Sequence, residues 1–159
     1  MQYLRLLPLA AFCAGLVSCE SVGSSANATH IAGVKTTAYT HTEADHKRYK
    51  RDSAVGSELK YGNTRSAAAD WSVYPVGTVF KIQGDSHVYE IDDYGSALVG
   101  TNTIDLYKPS KAEMKQWGAR NVNIDVVKWG SFSRSIAIMK ERQKAAPVRK
   151  MVQRIAENS

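Results

Sequence analysis

The chain has 159 residues, 43% apolar and 9% aromatic, with 21 Lys+Arg against 15 Asp+Glu for a formal net charge of +6. That length fits one domain of ordinary size, and the apolar share is enough to bury a core, which excludes wholesale disorder. Both cysteines, Cys13 and Cys19, lie in the first twenty residues, which excludes a disulfide framework or a cysteine-rich zinc site in the body of the protein.

Residues 1–18 read as an export signal. Arg5 supplies a positive n-region, and Leu6 to Val17 form an apolar run interrupted by Pro8 and Gly15. The run is short for a transmembrane span. It ends in Leu16-Val17-Ser18-Cys19, which resembles the lipobox of bacterial lipoproteins. The resemblance implies acylation of Cys19, a mature chain beginning there, and membrane attachment through the lipid. Cleavage would remove Cys13 and leave no free thiol, which suits an oxidising envelope compartment. Glu20 stands where an Asp would resemble an inner-membrane retention signal, so the expected location is the outer membrane, facing the periplasm. The alternative is an ordinary secretory signal with a chance cysteine. Residues 19–33 are small and polar and read as a flexible tether.

Residues 34–130 carry short β-like runs between turn signals. Val34 to Thr40 is rich in β-branched residues. Thr78 to Gln83 and His87 to Ile91 flank Gly84-Asp85 and predict a β-hairpin. Ser96 to Val99 and Thr103 to Tyr107 are strand candidates around Gly100, and Val122 to Trp129 is the clearest strand. Ser110 as N-cap, Glu113 closing a capping box and Gly118 as terminator define one short helix. Many short strands with one helix predict a mainly β protein built as a small barrel. Residues 41–66 are polar and irregular, either a functional loop or a solvated insertion.

Residues 131–159 are helical in pattern. Phe132, Ile136 and Met139 share one face; Val148, Met151, Val152 and Ile155 share another after Pro147, which starts or kinks the second helix. Residues 133–159 hold 7 Lys+Arg and 2 Asp+Glu, whereas residues 19–132 hold 13 of each, so the charge of the mature chain lies on this tail. The basic residues are scattered, which favours a helix packed on the barrel with a solvated basic face over one that contacts an anionic surface. An exported protein has no nucleic-acid partner to meet, and the sequence names no protein partner.

Asp70, Asp93 and Asp105 are the candidates for chemistry. Each sits at a strand end beside glycine or proline turns, where side chains converge without disturbing the core. Gathered and partly buried carboxylates raise one another's pKa, so that one holds a proton at neutral pH. Cleavage of a glycosidic bond needs such a donor for the leaving oxygen. Asp92 alternates with Asp93 along the strand and is expected to face outward or to assist. Trp71, Tyr94 and Tyr107 could stack on sugar faces if exposed. The four histidines have no metal-ligand spacing, no serine-histidine-aspartate or phosphate-loop pattern occurs in the sequence, and no metal or cofactor is expected.

The series Thr37-Ala38-Tyr39, Ala69-Asp70, Pro75-Val76-Gly77-Thr78, Asp93-Tyr94-Gly95, Ile104-Asp105 and Trp117-Gly118 resembles the 3D domain, named for three aspartates. The resemblance covers about residues 34–130 and implies a six-stranded double-psi β-barrel, as in the catalytic region of membrane-bound lytic transglycosylase A, and similar to rare lipoprotein A. It implies that Asp93 is the catalytic acid/base, with Asp70 and Asp105 tuning it and orienting the sugar. Trp71, Tyr94, Gly95 and Ser96 are the implied substrate contacts. Tyr94 stands where the family has Thr, and Ser96 where it has a second Gly. The expected function is an envelope lipoprotein that cleaves the MurNAc–GlcNAc bond of peptidoglycan, as a lytic transglycosylase or O-glycosyl hydrolase. The alternative is a non-catalytic peptidoglycan-binding or structural outer-membrane lipoprotein.

Overall fold

The computed structural model describes residues 28–44, 46 and 49–158. The expected export signal and the acylated Cys19 lie outside these residues. Among those described, six strands run Thr29–Tyr39 (β1), Thr64–Ala68 (β2), Val79–Ile82 (β3), Val88–Asp93 (β4), Ile104–Tyr107 (β5) and Arg120–Lys128 (β6). They close into a barrel in the order β1-β5-β2-β4-β3-β6. The β1/β5 and β2/β4 pairs are parallel and the other four antiparallel, the interlocked arrangement of a double-psi barrel.

The alternation read from the sequence drives this closure. Phe80 and Ile82 of β3, Tyr89 and Ile91 of β4, Ile104 and Leu106 of β5, and Ile124 and Val126 of β6 all point into one core. Burying each such side chain contributes about 1.5–3 kcal/mol. Phe80 and Tyr89 are directly paired across the β3–β4 hairpin, and their rings stack at 5.4 Å. The predicted helix is Lys111–Trp117 (α1), capped by Ser110, whose hydroxyl accepts the Glu113 amide and donates to its carboxylate.

Three expectations are corrected. β1 begins at Thr29 and pairs with β6 from there, so residues 29–33 of the expected tether are strand; Gly33, at φ 67°, sits in the bulge between Ile31 and Val34. Ser96–Leu98 is a 3₁₀ turn and not a strand: it has no sheet partner and tucks Leu98 inward between Gly95 and Gly100. β2 begins inside the segment 41–66 expected to be irregular and runs two residues beyond it. Its Ser66, Ala67 and Ala68 lack β-branching, but all three are buried in the closed barrel.

The tail folds as Phe132–Met139 (α2), a 3₁₀ turn at Lys140–Arg142, and Ala146–Glu157 (α3) with Pro147 in its first turn. Met139, Val148, Met151 and Ile155 belong to the same buried cluster as the barrel. Phe132 is 44% exposed and does not join that face. The joint is rigid. The Ser131 amide donates to the Val76 carbonyl, and the Ser135 hydroxyl accepts the Val76 amide. Gly130 passes so close to residues 75–78 that a Cβ there would lie 2.3 Å from the carbonyl oxygens of Pro75 and Val76.

Candidate functional site

The site is set by strand register. Asp93 of β4 is paired with Ala68 of β2, Ala68 with Asp105 of β5, and Asp105 with Thr37 of β1. Residues opposed in this way present their side chains on one face of a sheet. The row therefore places two carboxylates on the same face with a methyl group between them. Two interstrand steps separate their Cα atoms by about 9–10 Å. The small Ala68 leaves this stretch open, and a cleft of about 490 Å³ lies over it. Tyr94, Gly95 and Ser96 line it from the β4 end, and Ala145, Pro147 and Val148 close it from the tail.

Asp93 is 6% exposed. The Ala54 and Tyr94 amides donate to Oδ1 at 3.1 and 2.9 Å, and the Tyr39 hydroxyl donates to Oδ2 at 3.0 Å. Burial pushes its pKa from the ordinary 3.8 up to about 6; the three donors oppose the rise, and the charge of Asp92 adds to it. The neighbouring carboxylate acting on Asp93 is thus Asp92, and burial is the larger cause. Tyr39 is itself held well above its usual range, by burial first and then by the Asp93 charge, so its hydroxyl stays protonated and able to donate.

Asp70 does not line the cleft. It is fully buried and accepts from the Ser72 amide and hydroxyl and from the Gly100 amide, at 2.6–2.8 Å, with Arg154 at 3.8 Å. It ties the turn after β2 to the turn before β5, which corrects the expectation that it acts beside Asp93. Asp105 does line the cleft, where the Thr37 hydroxyl donates to it at 2.7 Å. Trp71 is also corrected: it is fully buried, and its indole N–H donates to the Asp93 carbonyl at 2.8 Å, so it has no face for a sugar and instead fixes the backbone of the acid. Tyr94 packs edge-on against Trp71 at 4.9 Å and keeps a half-buried ring on the cleft.

Asp92 is 1% exposed, contrary to the outward position expected from alternation. A bulge is the reason: Ala67 pairs with Ile91 and Ala68 with Asp93, so Asp92 has no partner across β2. The Ser66 hydroxyl and the Lys60 ammonium meet its Oδ2, while Oδ1 has no hydrogen-bond partner among the described residues. Burial raises its pKa against the pull of Ser66 and Lys60.

Sequence reasoning missed the Tyr39 hydroxyl, the Ala54 amide and the tail wall. Tyr39 lies within the motif that carries the resemblance; nothing in the local sequence marks Ala54 or Ala145. The arrangement can hold a proton on a carboxyl at near-neutral pH and present it to a ligand in an open trough.

Residues 65–128, which hold β3 to β6 and most of β2, match the family model of the 3D domain. Two proteins of Bacillus subtilis (strain 168) are similar to this chain. "Cell wall-binding protein YocH" is 33% identical over 76 residues, 47% of this chain and 26% of YocH. "Putative cell wall shaping protein YabE" is 32% identical over 98 residues, 61% of this chain and 23% of YabE. The chain thus spans about a quarter of the length of either relative.

Proposed function

We propose that this is a cell-envelope protein that cleaves the MurNAc–GlcNAc bond of peptidoglycan, with Asp93 as acid and base. The observation that carries the reading is a buried carboxyl with a pKa near 6 that lines an open trough of about 490 Å³. In the lytic route, Asp93 protonates the GlcNAc O4 as the C1–O4 bond breaks. The C6 hydroxyl of the muramoyl residue attacks the same C1, and its proton passes to the Asp93 carboxylate, which regenerates the acid. The products are a 1,6-anhydro end and a free GlcNAc hydroxyl. The intramolecular nucleophile supplies much of the rate through proximity. Attachment through an acylated Cys19 belongs to the same reading, and loss of fatty-acid labelling in Cys19→Ala tests it.

A second reading, binding wall glycan without cutting it, is favoured by the name of YocH. Mass spectrometry of products from purified sacculi separates the two. Cleavage predicts anhydro-ended muropeptides from the wild type and none from Asp93→Asn, with sedimentation on sacculi intact in both. If the wild type sediments with sacculi but releases nothing, the cutting proposal fails and the binding one stands.

A further inference from the structure

A second lobe of about 380 Å³ adjoins the trough. His46, Tyr49, Asp93, Tyr94 and Ala145 line both, so Asp93 stands where the two lobes meet. A linkage placed at Asp93 therefore has room for one sugar on either side. The second lobe carries the Arg142 guanidinium, contributed by the turn between α2 and α3. Its Nη1 donates to the Ala54 carbonyl at 2.8 Å, and the amide of the same Ala54 donates to Asp93 at 3.1 Å. One residue thus fixes both the cation and the acid, with at most about 10 Å between guanidinium and carboxylate. Among the described residues, no carboxylate lies within ion-pair distance of Arg142, although Asp52 lines the same lobe. The guanidinium has five N–H donors in a planar fork, and the backbone bond to Ala54 uses only one nitrogen.

We propose that the second lobe is a subsite for a carboxylate-bearing sugar, with Arg142 as the residue that recognises the carboxylate. This subsite rests on the glycan reading above and gives it a direction. A muramoyl residue whose stem peptide has been removed carries a free lactyl carboxylate, ether-linked at C3, with a reach from C1 comparable to the gap between Arg142 and Asp93. Pairing that carboxylate with Arg142 sets the muramoyl C1–O4 bond at Asp93 and leaves the uncharged GlcNAc to the larger lobe. The helical tail is then part of the site and supplies the charge that orients the strand.

The test uses Asp93→Asn protein, which cannot turn over the probe, and isothermal titration with two tetrasaccharides: alternating MurNAc–GlcNAc with free lactyl carboxylates, and the same chain with those carboxylates reduced to alcohols. The readout is the ratio of affinities, because both probes feel any change around residue 93 alike. The charged probe should bind at least about tenfold more tightly, the worth of one charge-assisted bidentate contact. Adding Arg142→Gln should bring the ratio to near one, whereas adding Arg142→Lys should keep a preference of several fold. A ratio unchanged by Arg142→Gln overturns the proposal while leaving glycan binding intact, and equal loss in the Gln and Lys variants overturns it by making Arg142 purely structural. Binding of neither probe would remove the glycan reading itself.

Discussion

Asp93→Asn separates the chemistry of the site from its stability. The substituted side chain keeps the network: its carbonyl accepts from the Ala54 and Tyr94 amides, and its own amide can donate to the Tyr39 oxygen. What changes is the proton. The unfolded carboxyl ionises near 3.8 and the folded one near 6. Between those values the folded state holds the proton and the unfolded state does not, so stability falls as pH rises from about 4 to about 6 and stays lost above that. The shift corresponds to about 3 kcal/mol, or roughly 10 °C in melting temperature for a domain of this size. The wild type should lose this much relative to Asp93→Asn between pH 4 and 7, measured by urea unfolding at several pH values; subtracting the variant removes the other titrating groups. Cleavage should fall by about 10²–10⁴ in the variant, and wild-type activity should decline above pH 6 as the acid loses its proton. Parallel pH–stability curves for the two proteins would refute the argument that burial holds a proton on Asp93.

Asp70→Ala leaves the Gly100 amide and Ser72 without their acceptor and Arg154 without its nearby charge; it should cost about 3 kcal/mol in urea unfolding, without altering the pH at which wild-type activity declines. Trp71→Phe removes the bond to the Asp93 carbonyl and should cost about 1–2 kcal/mol, with the affinity of the folded protein for glycan unchanged, since the indole has no exposed face. Gly130→Ala has no space for its methyl group between residues 75 and 78, and should detach the tail or prevent folding, seen as lost protection of α2 and α3 in hydrogen exchange. Ser110→Ala should lower stability by about 1 kcal/mol through the lost cap of α1 and leave the cleft untouched.

The parts of the fold legible in the sequence are those where one face is buried and side chains alternate: β3, β4 and β6 announce themselves through Phe80, Ile82, Tyr89, Ile91, Ile124 and Val126. β2 does not, because Ser66, Ala67 and Ala68 carry no strand preference of their own. The position of Asp93, at the end of β4 and on the cleft, is legible through its motif. The roles of Asp70 and Trp71 are not, because a turn-capping carboxylate and a buried indole look the same in one dimension as their exposed counterparts. Asp92 defeats the reading by alternation because a bulge breaks the alternation itself. Arg142 and Ala54 lie 88 positions apart, and only the docking of the tail brings them together.

The row that carries Asp93, Ala68, Asp105 and Thr37 spans four strands whose order around the barrel differs from their order in the chain. Thr37 must wait for a partner 68 residues downstream. Such distant pairings fold slowly, on millisecond to second scales, because loop closure precedes any reward. The trough is therefore complete only once β1 and the tail, more than a hundred positions apart, have both packed against it.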